Sequence, residues 1–155
     1  MIINNVKVGD GAAPYLIAEI GINHDGDFET CRKLIRAAKA CGVDAAKLQV
    51  FNADQFLSES SVYFDVFKSL SFSTDQYIAL FQEAAEQELS IFASVFDFDC
   101  LELMASLNAP AYKIASGDIT HLPLLQAVSK TGKPVIVSTG GATVEECWEA
   151  IDVIR

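Results

Sequence analysis

Residues 44–50 read DAAKLQV, a short run in which apolar side chains surround one lysine and one glutamine. Four similar runs recur in the chain of 155 residues, at positions 16–22, 90–95, 111–116 and 134–139. Their apolar residues are nearly continuous rather than alternating, which is typical of parallel strands buried on both faces. We therefore predict that these five runs form one parallel sheet.

Helical patterns follow each of the five runs. The predicted N-terminal signals are Asp27, Ser73, Asp97, Pro123 and Thr143. Gln76 and Glu146 stand three residues after a Ser and a Thr, which is the spacing of a capping box. Gly42 is predicted just past the end of the first helix. The order is therefore βα repeated five times, preceded by a predicted antiparallel hairpin whose turn is placed at residues 8–11, VGDG.

Repeated βα units build either an open, doubly wound sheet or a (β/α)8 barrel. A closed barrel needs eight units, and this sequence supplies five. The pattern alone leaves two architectures open: an open five-stranded α/β sheet, or part of a barrel. In both cases the chain is expected to be one domain, residues 1–155, without a second domain.

Composition and charge disfavour certain partners, locations and cysteine chemistry for this chain. The formal net charge of −10 disfavours nucleic acid and anionic membranes, because binding them requires a basic surface. No apolar run approaches the roughly 20 residues of a membrane helix. The N-terminus has no basic and apolar signal-peptide pattern, so we expect a cytoplasmic protein. The four cysteines form no C-x-x-C pair, which argues against zinc or redox chemistry.

Polar side chains collect near the C-terminal ends of the five runs, where parallel βα folds place their chemistry. They are Glu19, Asn23, His24, Lys47, Gln49, Ser94, Lys113, Ser116, Asp118 and Ser138. Lysine charges, hydroxyl groups and free backbone N–H groups together make a site for phosphate and carboxylate. An ionised glutamate beside two lysines could orient a water molecule or move a proton.

Each of these residues also has a simpler interpretation. Lys47 and Lys113 could extend along an edge strand to reach water, and Glu19 could be a structural ion-pair partner. His24 could cap or pack a loop, and Ser-Gly pairs are common in turns. The occurrence of such residues at the ends of all five runs favours a binding site over these alternatives.

Four stretches of the sequence resemble the sialic acid synthase family. They are IAEIGINHDGD at 17–27, AAKLQ at 45–49, PAYKIASGD at 110–118 with LPLL following, and GKPVIVSTG at 132–140. That family includes N-acetylneuraminate synthases and the synthases of spore-coat polysaccharide precursors. The resemblance implies a TIM-type (β/α)8 barrel, of which this chain would supply the N-terminal hairpin and about five βα units.

The resemblance also implies a reaction, the condensation of phosphoenolpyruvate with an N-acylated amino-sugar aldehyde to give a nonulosonic acid and phosphate. It assigns catalytic roles to Glu19, as acid/base, and to Lys113. Substrate-binding roles fall to Lys47, Gln49, Ser94, Ser116, Ser138, Asn23 and His24. The two lysines would hold the phosphate and carboxylate of phosphoenolpyruvate. A divalent metal, Mn or Mg, is expected in the full-length enzyme, with its histidine ligands beyond the fifth strand and none in this chain.

The sequence departs from the family at two places. The third run reads FASVFD at 92–97, where family members usually read F-x-S-T-P-F-D. The predicted loop at 51–72 is shorter than in the sialic acid enzymes, and no counterpart of their sugar-contacting asparagine is found in it. Two other functions stay open: a Schiff-base aldolase using Lys113, and a non-catalytic barrel fragment. Five units alone would leave strand edges and apolar surface uncovered, so we expect the isolated chain to be inactive and to associate. The enzyme itself is expected to be a homodimer.

Overall fold

A computed structural model describes residues 1–155 and contains seven strands in two sheets. A two-stranded hairpin precedes a parallel sheet with the strand order β3-β4-β5-β6-β7. The strands are β1 (Ile2–Ile3), β2 (Val6–Lys7), β3 (Ile17–Gly21), β4 (Ala45–Val50), β5 (Ser90–Val95), β6 (Tyr112–Ile114) and β7 (Val135–Val137). Each of the five predicted runs contains one strand of the parallel sheet, so that prediction is confirmed.

The hairpin is present, but its predicted turn at residues 8–11 is wrong. The turn is made by Asn4 and Asn5, whose φ angles are 44° and 67°. Positive φ at both central residues is what a two-residue type I′ turn requires, and asparagine tolerates it. Ile3 is buried, and the Asn4 side-chain amide donates a hydrogen bond of 2.8 Å to the Ser90 hydroxyl at the start of β5. The hairpin therefore covers the N-terminal end of the parallel sheet.

Seven α-helices connect and follow the strands. They are α1 (Phe28–Ala40), α2 (Ala53–Phe56), α3 (Phe64–Leu70), α4 (Thr74–Glu86), α5 (Phe98–Ser106), α6 (Leu122–Ser129) and α7 (Val144–Ile154). The predicted caps are confirmed: Asp27 accepts from the Thr30 amide, and both capping boxes are complete. Helices α2 and α3 lie within residues 51–72, where the sequence predicts a loop. None of the helices is both long and apolar enough to cross a membrane.

The strand order excludes a doubly wound sheet, and the five strands form an open sheet rather than a closed barrel. From β4 onward, each strand of the parallel sheet pairs with the strand before it in the chain. Because βαβ connections are right-handed, connections that always step in the same direction place every helix on the same face of the sheet. Helix α1 accordingly contacts α4, and α6 contacts both α5 and α7. A doubly wound sheet requires a reversal of strand order, so that alternative is contradicted.

The main core lies between the helices and the sheet. Its fully buried members include Leu48, Val95 and Ile114 from the strands and Met104 and Leu124 from the helices. The last unit is covered less completely. All three residues of β7 are half-buried, and α7 exposes its apolar residues, including Trp148 at 56%. The sheet therefore has one well-covered face and an uncovered final edge.

Helices α1 and α4 are joined by a buried carboxylate. Glu83 on α4 is 5% exposed and accepts from Nε of Arg36 at 2.6 Å and from Nε of Arg32 at 2.8 Å. These hydrogen bonds, first from Arg36 and then from Arg32, hold the pKa of Glu83 below its ordinary value of 4.5. A group with a lowered folded-state pKa stabilises the fold above its unfolded pKa, and the stabilisation is lost as the pH falls below it.

We expect Glu83→Gln to lower the free energy of unfolding at neutral pH by about 1–2 kcal/mol, because two charge-assisted hydrogen bonds weaken while both guanidinium groups stay partly in water. The variant should also lose part of its acid sensitivity below pH 4.5, where Glu83 takes up a proton. Chemical denaturation at several pH values measures both effects. Glu86→Gln, an exposed change on the same helix, is the control, and equal losses in the two variants would contradict the assignment.

Candidate functional site

A buried lysine ammonium lies at the centre of the polar residues on the face of the sheet opposite the helices. Lys47 on β4 is 6% exposed, and its Nζ lies 2.7 Å from Oε2 of Glu19 on β3. The same Nζ donates a hydrogen bond of 2.9 Å to Oγ of Ser94 on β5. A charge removed from water needs such partners, because its desolvation is otherwise costly. Three neighbouring strands thus each supply one member of this cluster.

A β-bulge shapes β3 at this point. The register with β4 shifts between Glu19 and Gly21, and Gly21 has a φ of 55°. A Cβ atom on Gly21 would lie 3.0 Å from Oε1 of Glu19, so the carboxylate folds closely over this glycine. Bulges redirect side chains next to functional sites, and glycine permits both the φ angle and the close approach. The carboxylate is thereby turned toward Lys47.

The strand register places the other predicted residues on the same face. Glu19 lies beside Lys47, Gln49 beside Ser94, and Ser94 beside Lys113. Since side chains alternate between the faces of a sheet, all five point away from the helices. Gln49 is also near the bulge, because its Cδ would lie 3.9 Å from a Cβ on Gly21. The prediction that these residues converge is confirmed; their roles toward a substrate remain predictions.

Lys113 is the second cation of the site. It is half-buried, and its Nζ donates to the carbonyl oxygen of Ile114. Burial, and secondly the positive charge of Lys47, lower the pKa of Lys113, while Glu19 and Asp118 oppose that change. Two ammonium groups held close on one face repel each other. An anion with more than one negative charge would relieve this repulsion.

Ser116 and Ser138 lie in adjacent turns beyond the strand ends. Ser116 opens a short 3-10 helix after β6, and the Ser138 amide donates a 3.1 Å hydrogen bond to the Ile114 carbonyl oxygen. A Cβ on Gly140 would lie 3.5 Å from Oγ of Ser116, so the turn after β7 packs against the turn after β6. Both serines are therefore at the C-terminal edge, on the side of Lys113.

The structure does not bring His24 into this cluster. Its ring is buried, stacks on Phe72 with centroids 4.4 Å apart, and accepts a hydrogen bond at Nδ1 from the Gly26 amide. Burial lowers the pKa of His24 from its ordinary 6.5. Asn23 is exposed and donates from Nδ2 to the Ile20 carbonyl oxygen at 3.0 Å. His24 therefore packs the loop, as the simpler interpretation predicts. Contact of His24 or Asn23 with a substrate remains a prediction.

Sequence reasoning missed two residues that shape the site. Gly21 was not singled out, although a glycine within a strand pattern is a known signal for a bulge. Phe72 was also missed, and no local signal indicates it, because its partner His24 comes from a distant segment. Phe72 also contacts Phe28 and Tyr77 edge-on, with centroids 5.9 Å and 5.8 Å away.

These residues do not form a metal site. No group of three His, Cys, Asp or Glu side chains in the chain is arranged to hold an ion. Nδ1 of His24 already accepts a backbone hydrogen bond, and Cys100 donates its thiol proton to Asp97 at 3.2 Å. The donor set present therefore does not fit a divalent metal.

The fold and the site together define a parallel βα sheet with two lysines, a glutamate and a serine clustered near its C-terminal edge. The NeuB family profile matches residues 34–155, and the chain belongs to the NeuB family. The resemblance predicted from the sequence motifs is thereby confirmed.

Two protein relatives and one crystal structure illustrate this membership. The chain is 42% identical over 153 residues to the uncharacterized protein MJ1065 of Methanocaldococcus jannaschii, covering 99% of this chain and 45% of that protein. It is 32% identical over 168 residues to N,N'-diacetyllegionaminic acid synthase of Legionella pneumophila, covering 99% and 47%. The crystal structure of N-acetylneuraminic acid (sialic acid) synthetase from Leptospira borgpetersenii with citrate matches at a TM-score of 0.95 and 28% identity, covering 99% and 54%. The chain thus spans about half the length of these proteins.

The loop after β3 gives a sharp test of the packing around His24. Gly26 has a φ of 74°, and a Cβ there would lie 2.3 Å from the Ser69 carbonyl oxygen. Gly42 has a φ of 75° with no atom within 4 Å of its Cβ position, so it is a matched control. We expect Gly42→Ala to cost about 1 kcal/mol for the left-handed backbone alone. Gly26→Ala should cost a further 1–3 kcal/mol or so, because the loop must move away from Ser69.

Thermal or chemical unfolding of the two variants measures this difference. Equal losses of stability would show that the contact between the first loop and Ser69 does not hold in solution.

Proposed function

We propose that this chain is the N-terminal part of a synthase that condenses phosphoenolpyruvate with an N-acylated amino sugar, forming a nonulosonic acid and releasing phosphate. Membership of the NeuB family and the names of the relatives support this. The observation that carries it is the site itself, with Lys47 held by Glu19 and Ser94 and with Lys113 beside them. Because the chain spans about half of its relatives, the activity proposed is that of the whole protein.

We propose further that the sheet is the first part of a (β/α)8 barrel, with residues 1–155 as a partial domain. Strands in sequential order with helices on one face are how such a barrel begins. Three more units would pair with β7 and cover the apolar residues that α7 exposes, Val144, Trp148 and Ile151. The cluster around Lys47 would then line the barrel interior at the end where TIM-type barrels carry their sites.

The roles follow from charge and position. Lys47 and Lys113 would bind the phosphate and carboxylate of phosphoenolpyruvate, and Ser94, Ser116 and Ser138 would donate hydrogen bonds to the same anion. In the reaction, C3 of phosphoenolpyruvate forms a bond to the aldehyde carbon, water adds at C2, and the C2–O bond to phosphate breaks. Glu19 would orient that water and accept its proton. Asn23, His24 and Gln49 remain proposed as nearby lining residues.

Other properties of the whole protein are part of this proposal. A divalent metal, Mn or Mg, is expected in the whole protein, held by residues outside this chain. We propose a homodimer and a cytoplasmic location, in keeping with a biosynthetic enzyme. The partners would be phosphoenolpyruvate and the amino-sugar aldehyde.

The proposal is tested by measuring phosphate release from phosphoenolpyruvate with Mn²⁺ and a panel of N-acyl hexosamines. The full-length gene product and the 155-residue chain are assayed side by side. We expect sugar-dependent release from the full-length protein and none from the chain alone, since the sheet is open on one side. Silence of the full-length protein with every sugar would count against the function.

Charge removal at the two lysines tests their roles. In the full-length protein, Lys47→Met and Lys113→Met should each raise KM for phosphoenolpyruvate about 10- to 100-fold, the effect of losing a charge-assisted hydrogen bond of roughly 1.5–3 kcal/mol. Lys130→Met is the control, because Lys130 is an exposed lysine at the C-terminal end of α6. An unchanged KM in either active-site variant would remove that lysine from the proposed site.

One observation favours the aldolase alternative enough to test it. Burial and the charge of Lys47 lower the pKa of Lys113, and a lysine with a lowered pKa can act as a Schiff-base nucleophile. Borohydride reduction in the presence of pyruvate would then trap a covalent adduct on Lys113, which mass spectrometry detects. The synthase proposal predicts that no adduct forms.

A further inference from the structure

Gly21 stands on the face of the sheet that carries the proposed site. It lies two residues after Glu19, and residues two apart on a strand face the same side. Ile20 between them is 4% exposed and belongs to the main core. A side chain at position 21 would therefore project from the same face as Glu19, and glycine leaves that space unfilled.

The unfilled space is bordered by the carboxylate of Glu19. A Cβ atom on Gly21 would lie 3.0 Å from Oε1 of Glu19 and 3.9 Å from Cδ of Gln49. The distance to Gln49 is ordinary van der Waals contact, whereas the distance to Oε1 is tighter than most contacts that a Cβ atom makes. Glu19 is therefore the side chain that any larger residue at position 21 would displace.

The carboxylate cannot move away independently, because its other oxygen is held. Oε2 of Glu19 lies 2.7 Å from Nζ of Lys47, which also donates to Oγ of Ser94 at 2.9 Å. Lys47 is 6% exposed, so separating it from Glu19 would leave a buried charge with less compensation. Oε1 can yield only if the carboxylate turns about the contact of Oε2 with Lys47, or if that contact is lost.

The two oxygens of Glu19 thus have different surroundings. Oε2 is paired with Lys47, whereas Oε1 makes no hydrogen bond within the chain, and the side chain as a whole is 56% exposed. An ionised oxygen without a protein donor is the one that can accept a hydrogen bond from water and take its proton. Its position is set by the space above Gly21.

We propose that Gly21 is a positioning residue that acts through Glu19. Its missing side chain keeps Oε1 where that oxygen can take the proton of the attacking water, while Oε2 stays on Lys47. This inference rests on the proposed function and deepens it at the same site. A misplacement of about 1 Å can lower a rate about 100-fold, so a smaller shift of Oε1 should also be visible in kcat. Lys113 and Ser94 are not displaced, so binding of phosphoenolpyruvate should not depend on residue 21.

The test separates two properties of Gly21, its φ of 55° and its lack of a Cβ atom. Asparagine tolerates positive φ, and this chain already places Asn4, Asn5 and Asn108 there, with φ of 44°, 67° and 52°. Gly21→Asn therefore relieves the backbone cost of Gly21→Ala but keeps the Cβ atom. Gly42, between α1 and β4, is the matched control, because its φ is 75° and no atom lies within 4 Å of its Cβ position.

In the full-length gene product, we expect Gly21→Ala and Gly21→Asn each to lower kcat at least tenfold and to leave KM for phosphoenolpyruvate within twofold. Gly42→Ala and Gly42→Asn should change neither value. Chemical denaturation should give a lower midpoint for alanine than for asparagine at both positions. A kcat that recovers in Gly21→Asn would show that only the backbone angle matters, and it would overturn the inference. Equal losses of kcat at Gly42 would do the same.

Crystal structures of the unsubstituted protein and of Gly21→Asn give a readout that does not depend on turnover. We expect the Glu19 carboxylate to be turned in the variant, or its Oε2 to lie farther than 2.7 Å from Nζ of Lys47. A carboxylate that has not moved would overturn the inference even if kcat falls. Absence of sugar-dependent phosphate release from the unsubstituted protein would count against the proposed function, whereas the position of the carboxylate is decided by the crystal structures alone.

Discussion

The ion pair between Lys47 and Glu19 is the contact on which the arrangement of the site depends. An ammonium group that is almost completely buried must be compensated, and here a carboxylate from one strand and a hydroxyl from another do so. This requirement favours one relative register of β3, β4 and β5 on the face opposite the helices. The bulge follows directly after Glu19, where Gly21 lets the carboxylate lie close over the backbone. Structure and proposed chemistry therefore depend on the same three side chains.

The two faces of the sheet are stabilised in different ways. Apolar side chains packed under the helices stabilise one face, and the hydrophobic effect acts there without demanding exact positions. The other face depends on directional contacts between charged and polar groups, which tolerate little displacement. Two aromatic contacts hold the connecting segments against the strand ends. They are the edge-on contact of Phe56 with Phe96 and the stack of His24 on Phe72.

Much of the fold could be predicted from the sequence, because its signals are local. Near-continuous apolar runs located all five parallel strands, and capping residues such as Ser73 located helix starts. The failures have physical causes. The hairpin turn at Asn4 and Asn5 contains no glycine, whereas residues 8–11 contain two, so the glycine signal predicts the turn at the wrong place. Helix α2 has only four residues and α3 seven, too short for a helical period to be visible.

For the site, the convergence of Glu19, Lys47 and Ser94 followed from their positions near the strand ends. The burial of His24 did not, because it depends on a partner far away in the chain.

The sequential strand order has a consequence for how such a chain acquires its structure. Every strand of the parallel sheet pairs with the strand made immediately before it, so each pairing closes a loop of one unit only. Contacts between neighbouring units carry a low entropic cost of loop closure and favour rapid folding. The helix-covered core can therefore grow unit by unit while the polypeptide is being synthesised. The polar face is completed later. Lys47 can pair with Glu19 once β3 and β4 are joined, but it acquires its second partner, Ser94, only when β5 has been added.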